Sequence, residues 1–176
     1  VYRRQVLVNT FESTAETGKG SFSDLYTLLK PRVMWLAVFT AAVGIIIAPT
    51  QNSLFLSLII LLCISIGAGA AGVLNMWWDK ELDNVMERTR GRPLPNEKIS
   101  SDDAFVFGVT LSIFSVLFLG LAANWLAAFL LAITIFFYLV VYSIFLKKTT
   151  PQNIVIGGAA GAMPPLIGWV ASTGII

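Results

Sequence analysis

The stretch NMWWDKELDNVMERTRGRPLP, from Asn75 to Pro95, lies between two long apolar runs. It contains four acidic residues followed by three arginines, in a chain of 176 residues that is 56% hydrophobic and only 12% charged. Soluble domains carry about 25% charged residues, so this composition indicates a membrane protein. The chain therefore places carboxylate and guanidinium groups together at the end of a hydrophobic segment, and charged groups in that position require an explanation.

The other charged residues show how the chain is organised. They fall between Arg3 and Arg32, between Asp79 and Asp103, and at Lys147 and Lys148. The uncharged runs 33–78 and 104–146 are each long enough for two crossings of about 20 residues, with polar breaks at 48–53 and 122–124. We predict an all-α integral membrane protein with five spans, at about 33–48, 54–78, 104–121, 125–146 and 152–172.

Two spans between successive charged groups place every charged residue on one face of the membrane. The positive-inside rule assigns that face, and the N-terminus, to the cytoplasm. Residues 1–20 are predicted to form a mobile tail, and 21–176 part of a single transmembrane domain that begins with a short interfacial helix over 21–30. Glu12 and Glu16 in the tail are atypical of a transit peptide, which favours a bacterial inner membrane.

Asn75, Asp79 and Asp83 are four residues apart, so on a helix they share one face. Adjacent unpaired carboxylates repel each other and are costly near a membrane, and a divalent cation relieves both effects. Mg²⁺ is typically bound by one or two carboxylates together with substrate phosphates. Guanidinium groups match phosphate geometry, which makes the following arginines candidate diphosphate ligands. These are Arg88, Arg90 and Arg92.

This cluster has a simpler interpretation, in which it is a solvated cytoplasmic loop whose arginines follow the positive-inside rule. The same two interpretations apply to other residues at the membrane edge. Lys147 and Tyr142 are either a snorkelling lysine and an interfacial tyrosine or part of the phosphate pocket. Lys30 and Arg32, on either side of Pro31, have the same ambiguity.

The last span contains glycines and prolines with structural consequences. Gly157 and Gly161 form a GxxxG pair, which predicts close helix packing. Pro164 and Pro165 predict a break or kink, and the carbonyl groups that they leave without donors need protein partners or a cavity. A cavity is therefore expected beside this span.

Composition excludes several kinds of chemistry in this chain. It contains no histidine, which excludes imidazole bases and histidine-based metal sites, and a net charge of +2 gives no argument for nucleic acid as a partner. The one cysteine, Cys63, lies in an apolar run and is expected to be a small buried hydrophobic residue.

Three segments, LKPRVMWLAVFTAAVG, NMWWDKELDNVMERTRGRPLP and KKTTPQNIVIGGAAGAMPPLIGW, together resemble the UbiA superfamily of membrane prenyltransferases. The resemblance covers nearly all of 22–172 and is strongest to the haem O synthase branch. It implies a bundle of nine transmembrane helices around a central cavity. It also implies that Asn75, Asp79 and Asp83 bind Mg²⁺ and the prenyl diphosphate, and that Arg92 binds diphosphate.

The reaction implied by this resemblance is transfer of a farnesyl group from farnesyl diphosphate to a vinyl group of haem b. The resemblance also leaves open an association of the protein with haem A synthase or with terminal oxidase assembly. Members of the superfamily carry a tyrosine and a lysine four residues apart, whereas Tyr142 and Lys147 are five apart. The superfamily's second Asp-rich motif is absent, so we expect this chain to be an N-terminal fragment that is inactive alone.

Three alternatives follow from the same residues. The acceptor could instead be a quinone precursor, a chlorophyll or a lipid, with the diphosphate site unchanged. A transporter fragment would also contain spans interrupted by glycine and proline, but it predicts ionisable groups near the bilayer midplane, and the sequence places none there. If the chain were an assembly subunit without chemistry, the acidic line formed by Asn75, Asp79 and Asp83 would be accidental.

Overall fold

The computed structural model describes residues 20–50, 52–147 and 152–176, with Ile154 described by its backbone alone. The predicted tail over 1–20 lies outside these ranges except for Gly20. Every regular element in the described ranges is helical. The elements are α1 (Phe22–Leu28), α2 (Pro31–Ile47), α3 (Leu54–Trp78), α4 (Lys80–Val85), α5 (Ser101–Ala122), α6 (Trp125–Phe136), a π-helix that continues α6 (Phe137–Leu146), and α7 (Asn153–Thr173).

The predicted class, an all-helical membrane protein, is confirmed. Within the described ranges, four helices are long and apolar enough to cross a membrane when α6 and its π-helical continuation are counted as one. Helices α1 and α2, bent by 56° relative to each other, form a fifth candidate span when counted together. Many large apolar side chains lie on the surface, including Phe39, Leu58 and Phe118. Such a surface is stable against lipid and unfavourable against water.

Short polar residues determine where the spanning helices begin. Ser53, Ser100 and Asn124 each accept a hydrogen bond from a backbone N–H in the first turn, at 3.2, 3.0 and 2.8 Å. The third spanning helix starts at Ser101 rather than near 104 because Asp102 and Asp103 belong to its first turn, where carboxylates are favourable. Charged residues at a helix start are thus part of the helix, although they interrupt an apolar run.

The helices pack through glycines, which include one of the predicted pair. A Cβ atom added to Gly44 would lie 2.1 Å from the carbonyl oxygen of Pro165, and one added to Gly168 would lie 2.4 Å from that of Ala41. These contacts bring the backbones of α2 and α7 together. A Cβ on Gly157 would lie 2.6 Å from the Tyr142 ring, whereas one on Gly161 would meet no described atom within 4 Å, so of the predicted pair only Gly157 lies at a close helix contact.

Helix α7 runs through Pro164 and Pro165 without a break, so of the predicted break or kink the break is absent. The two prolines cannot donate to the carbonyl groups of Ala160 and Gly161, four residues earlier. Ala160, Gly161 and Pro164 all line a cavity of about 210 Å³. The cavity expected beside this span is therefore present, and the two residues deprived of a helical donor border it.

Opposite the charged end, the described turns between helices are polar but uncharged. Thr50 donates a hydrogen bond to the carbonyl oxygen of Ser172 at 2.9 Å, and the Asn52 amide donates to the Ser172 hydroxyl at 2.8 Å. Asn124 donates to the carbonyl oxygen of Val170 at 2.8 Å. These contacts tie the α2–α3 and α5–α6 turns to the end of α7 without any charge.

Candidate active site

The three residues Asn75, Asp79 and Asp83 lie in one buried line, with exposed fractions of 4%, 2% and 3%. Helix α3 ends at Trp78, but the helical hydrogen-bond pattern continues across the junction. The Asp79 N–H donates to the Asn75 carbonyl at 3.0 Å, and the Asp83 N–H donates to the Asp79 carbonyl at 2.7 Å. The predicted shared face is therefore kept from the end of α3 into α4.

Three cationic side chains converge on this line. Lys147 lies 2.5 Å from Asp79 Oδ2, and Arg92 lies 2.6 Å from Asp83 Oδ2. Lys30 donates to Asn75 Oδ1 at 2.5 Å. Three of these six residues are positively charged and two are negatively charged, so the cluster has an excess of one positive charge. Such a pocket favours an additional anionic group.

Lys30 reaches the line because of its backbone. Its φ of 53° and ψ of 65° lie in the left-handed region, which is costly for a residue other than glycine. The loop that carries it packs on α3 at Gly69 and Gly72, where a Cβ would lie 2.8 Å from the Leu29 side chain and 3.4 Å from the Leu29 carbonyl oxygen. These glycines leave the space in which the Lys30 loop approaches the site.

The remaining predicted basic residues lie elsewhere. Arg88 and Arg90 are exposed in the loop after α4, and Arg32 is exposed at the start of α2. None of the three has an ion pair within the described part of the chain. Of the three loop arginines, only Arg92 contacts the acidic line. Of the two residues that flank Pro31, only Lys30 contacts it.

Tyr142 lies beside the site, with its ring stacked on Tyr138 at a centroid distance of 5.3 Å and packed against Gly157. Tyr138 is the tyrosine that lines the cavity. Sequence reasoning identified Tyr142 from its distance to Lys147 and did not consider Tyr138, one turn earlier. Of the stacked pair, Tyr138 borders the cavity next to the charged cluster, and Tyr142 packs behind it.

The π-helix explains how residues five apart meet. Its hydrogen bonds join each N–H to the carbonyl five residues earlier, as in the Lys147 N–H to the Tyr142 carbonyl. Tyr142 and Lys147, whose spacing of five departs from the superfamily pattern, therefore occupy successive turns. π-Helical segments are rare and occur frequently at functional sites.

Sequence reasoning missed two buried hydroxyl residues that contact the line. The Ser143 hydroxyl accepts a hydrogen bond from the Asn75 amide at 2.9 Å, and Thr89 donates to the Asp83 carbonyl at 3.1 Å. Ser143 has a signal in the sequence, because it is a polar residue in an apolar run four residues before Lys147. Thr89 lies between two exposed arginines, and nothing in that pattern indicates burial.

The donor set fits a magnesium ion shared with a ligand. Asp79 Oδ1 is buried and has no hydrogen-bond partner among the described residues, which is unusual for a carboxylate oxygen. The described residues contain no group of three or more Cys, Asp or Glu side chains that could enclose a metal. Two carboxylates with an amide match the sparse protein ligation of Mg²⁺, which takes its other ligands from water and phosphate.

An apolar cavity begins next to this cluster, because Lys30 belongs to both. The cavity lies between α2, α3, α6 and α7, and its wall is built mostly of aliphatic and small residues. Its lining includes Leu36, Ile64, Leu131, Tyr138 and Ile167. A polar, cation-rich mouth above an apolar cavity suits a ligand with an anionic head and a hydrocarbon tail.

The chain is similar to proteins named protoheme IX farnesyltransferase. The relative from Bartonella henselae is 60% identical over 158 residues, covering 90% of this chain and 51% of that protein. Those from Sinorhizobium fredii and Paracoccus denitrificans are 58% and 56% identical, covering 93% and 95% of this chain and 51% and 54% of those proteins. The chain thus spans about half the length of the curated relatives it matches.

The model of the UbiA prenyltransferase family matches residues 37–176, which include the acidic line, most of the cavity lining and all of α3 to α7. This match covers most of the chain. The sequence motifs, the membrane-spanning helices and the match agree, and the chain belongs to the UbiA prenyltransferase family.

Proposed function

We propose that the intact gene product carrying this chain transfers a farnesyl group from farnesyl diphosphate to a vinyl group of haem b, forming haem O in a magnesium-dependent reaction. The names of the relatives, at 56–60% identity, support the substrate pair. The observation that carries the proposal is the buried, unpartnered Asp79 Oδ1 within a cluster of excess positive charge. A bound Mg²⁺ would coordinate that oxygen, and a bound diphosphate would offset the excess positive charge.

The charged residues would hold the diphosphate. Asn75, Asp79 and Asp83 are the residues that would bind Mg²⁺, which when bound supplies charge neutralisation for the departing diphosphate. Lys30, Arg92 and Lys147 would bind the other phosphate oxygens, as ammonium and guanidinium groups do. These cations already lie against the acidic line, so little movement is needed to reach a ligand there.

The apolar cavity would hold the farnesyl chain and exclude water from its reactive end. As the C–O bond breaks, the allylic carbon gains cationic character, and the aliphatic and aromatic walls delay attack by water. That carbon would bond to the terminal vinyl carbon of haem b while a water molecule adds to the inner vinyl carbon. Diphosphate and a proton are released, and the product carries a hydroxyethylfarnesyl side chain.

The proposed location is a bacterial inner membrane, with the charged end of the bundle in the cytoplasm. The described chain is that of a multi-pass membrane protein. The asymmetry between its charged end and its uncharged turns supports the cytoplasmic assignment. Farnesyl diphosphate would then present its head to the cytoplasmic mouth and its tail to the cavity.

The proposal is tested with the intact gene product purified in detergent. Incubation with farnesyl diphosphate, haem b and Mg²⁺ should produce haem O, identified by mass spectrometry, and excess EDTA should stop the reaction until Mg²⁺ is restored. Prenylation of a quinone precursor supplied in a parallel incubation, with no haem O formed from haem b, would support that alternative acceptor instead. Equal turnover with and without EDTA would contradict the magnesium site.

A further inference from the structure

Ser143 has a position that the proposed chemistry does not yet use. It lies in the π-helix, fully buried, and it is the only described serine that contacts the acidic line. Its hydroxyl accepts a hydrogen bond from the Asn75 amide at 2.9 Å and donates one to the Tyr138 carbonyl at 2.8 Å. Because the Ser143 hydroxyl donates one hydrogen bond and accepts another, the orientation of its O–H bond is fixed.

The single proton of Ser143 fixes which way the Asn75 side chain points. A carbonyl oxygen can only accept, so the hydroxyl proton is committed to Tyr138, and the oxygen must accept from the atom that Asn75 presents. That atom is therefore the amide nitrogen. Asn75 Oδ1 is then held on the opposite side, facing Lys30 at 2.5 Å.

A second partner requires the same orientation. The Asn75 amide nitrogen also donates to Asp79 Oδ2 at 3.0 Å, and this carboxylate oxygen can only accept from it. Both amide protons are thus engaged, one by Ser143 and one by Asp79. The reversed amide would place an oxygen against the carboxylate and leave the ammonium group of Lys30 facing a donor.

We propose that Ser143 is a positioning residue that holds the Asn75 carbonyl oxygen toward the cation and diphosphate site. The inference rests on the proposed function of that site. Lys30 occupies the position opposite Asn75 Oδ1 in this structure, which shows that a cation is accommodated there. Residues that orient metal ligands through a hydrogen bond typically change metal affinity by about 10- to 100-fold when removed.

The test uses Ser143→Ala in the intact gene product, with Mn²⁺ as a spectroscopic substitute for Mg²⁺. Free Mn²⁺ is measured by electron paramagnetic resonance in the presence of inorganic pyrophosphate. We expect the dissociation constant of Mn²⁺ to rise by about tenfold or more. Ser143→Thr keeps the hydroxyl and should restore most of the affinity. A threonine variant as weak as the alanine variant would overturn the role of the hydroxyl.

Ser115→Ala is the matched control. Ser115 is also a fully buried serine in a spanning helix, and its hydroxyl donates to the Ser112 carbonyl at 3.0 Å, away from the acidic line. The Ser115→Ala variant should bind Mn²⁺ as the unaltered protein does. An equal loss of Mn²⁺ affinity in both alanine variants would overturn a specific role for Ser143. Unchanged Mn²⁺ binding in Ser143→Ala would overturn the inference and leave the proposed function standing. Failure of the unaltered protein to bind Mn²⁺ with pyrophosphate would overturn the magnesium site itself.

Discussion

At the residue scale, the site consists of buried charges that compensate one another incompletely. Asp79 and Asp83 each have a cationic partner, yet Asp79 Oδ1 is left without one among the described residues. A buried carboxylate oxygen without a partner costs free energy, and the cost is relieved if a ligand completes its coordination. The arrangement is therefore expected to be stabilised when a metal and a diphosphate are present.

The acidic line gives the first prediction. Asp79→Asn and Asp83→Asn keep the size of each side chain but remove its charge, and each should lower the transfer rate by about 10²- to 10³-fold or more. The rate is measured as haem O formed by the intact gene product. Asp102→Asn, an exposed change in the first turn of α5, is the control and should retain the rate. Near-normal turnover in both site variants would contradict the assignment.

The arginines give a second prediction, which separates one of them from its neighbours. Arg92→Ala should raise the KM for farnesyl diphosphate by about tenfold or more, because it removes a charged hydrogen-bond donor. Arg88→Ala and Arg90→Ala should change the KM little, since both side chains are exposed and lie apart from the acidic line. If all three variants shifted the KM equally, the loop would act through its overall charge rather than through Arg92.

At the element scale, the helices that the sequence predicts best are those bounded by short polar residues. Ser53 and Asn124 cap helices where polar residues break the apolar runs, so their starts could be predicted. The continuity of α7 through its two prolines could not, because the sequence does not show whether the helix tolerates the loss of donors to the carbonyl groups of Ala160 and Gly161. The acidic line was predictable from its spacing, whereas Ser143 and Lys30 enter the site only through a π-helix and a left-handed backbone.

The cavity wall on α7 gives a third prediction. Gly161 and Gly158 both have open space where a Cβ would be, but only Gly161 lines the cavity. Gly161→Leu should therefore reduce kcat/KM for farnesyl diphosphate by about tenfold or more and favour the shorter geranyl diphosphate. Gly158→Leu is the matched control on the same helix. The two donors are compared in competition, and parallel losses in both variants would show that the change acts on helix insertion instead.

At the scale of the whole molecule, the distribution of charge divides the bundle into two unlike ends. One end carries the acidic line with its three cations, and the other joins Thr50, Asn52 and Asn124 to the end of α7 through uncharged groups. This asymmetry was evident in the sequence, since it needs only the order of charged and apolar segments. The meeting of Lys30, Arg92 and Lys147, separated by up to 117 residues, needed the fold.

Orientation in the membrane is the fourth prediction. Arg88→Cys places a thiol in an exposed loop at the charged end, and Pro49→Cys places one in an exposed turn at the other end. In intact cells freed of their outer membrane, an impermeant maleimide should label Pro49→Cys and spare Arg88→Cys until the cells are opened. Cys63 is buried and should contribute little background. The reverse labelling pattern would place the charged end outside the cytoplasm.

The π-helical segment makes the number of residues along this part of the backbone a condition for activity. Deleting one residue such as Val140 would let the segment wind as an ordinary α-helix, while every side chain of the site stayed in the chain. An α-helix turns by about 100° per residue and a π-helix by less, so the rewound segment would end at a different rotation and height relative to the acidic line. Lys147 would lose its alignment with Asp79, and Ser143 its alignment with Asn75. In this chain, a substitution in the segment that keeps the residue count should therefore be tolerated far better than a single-residue deletion.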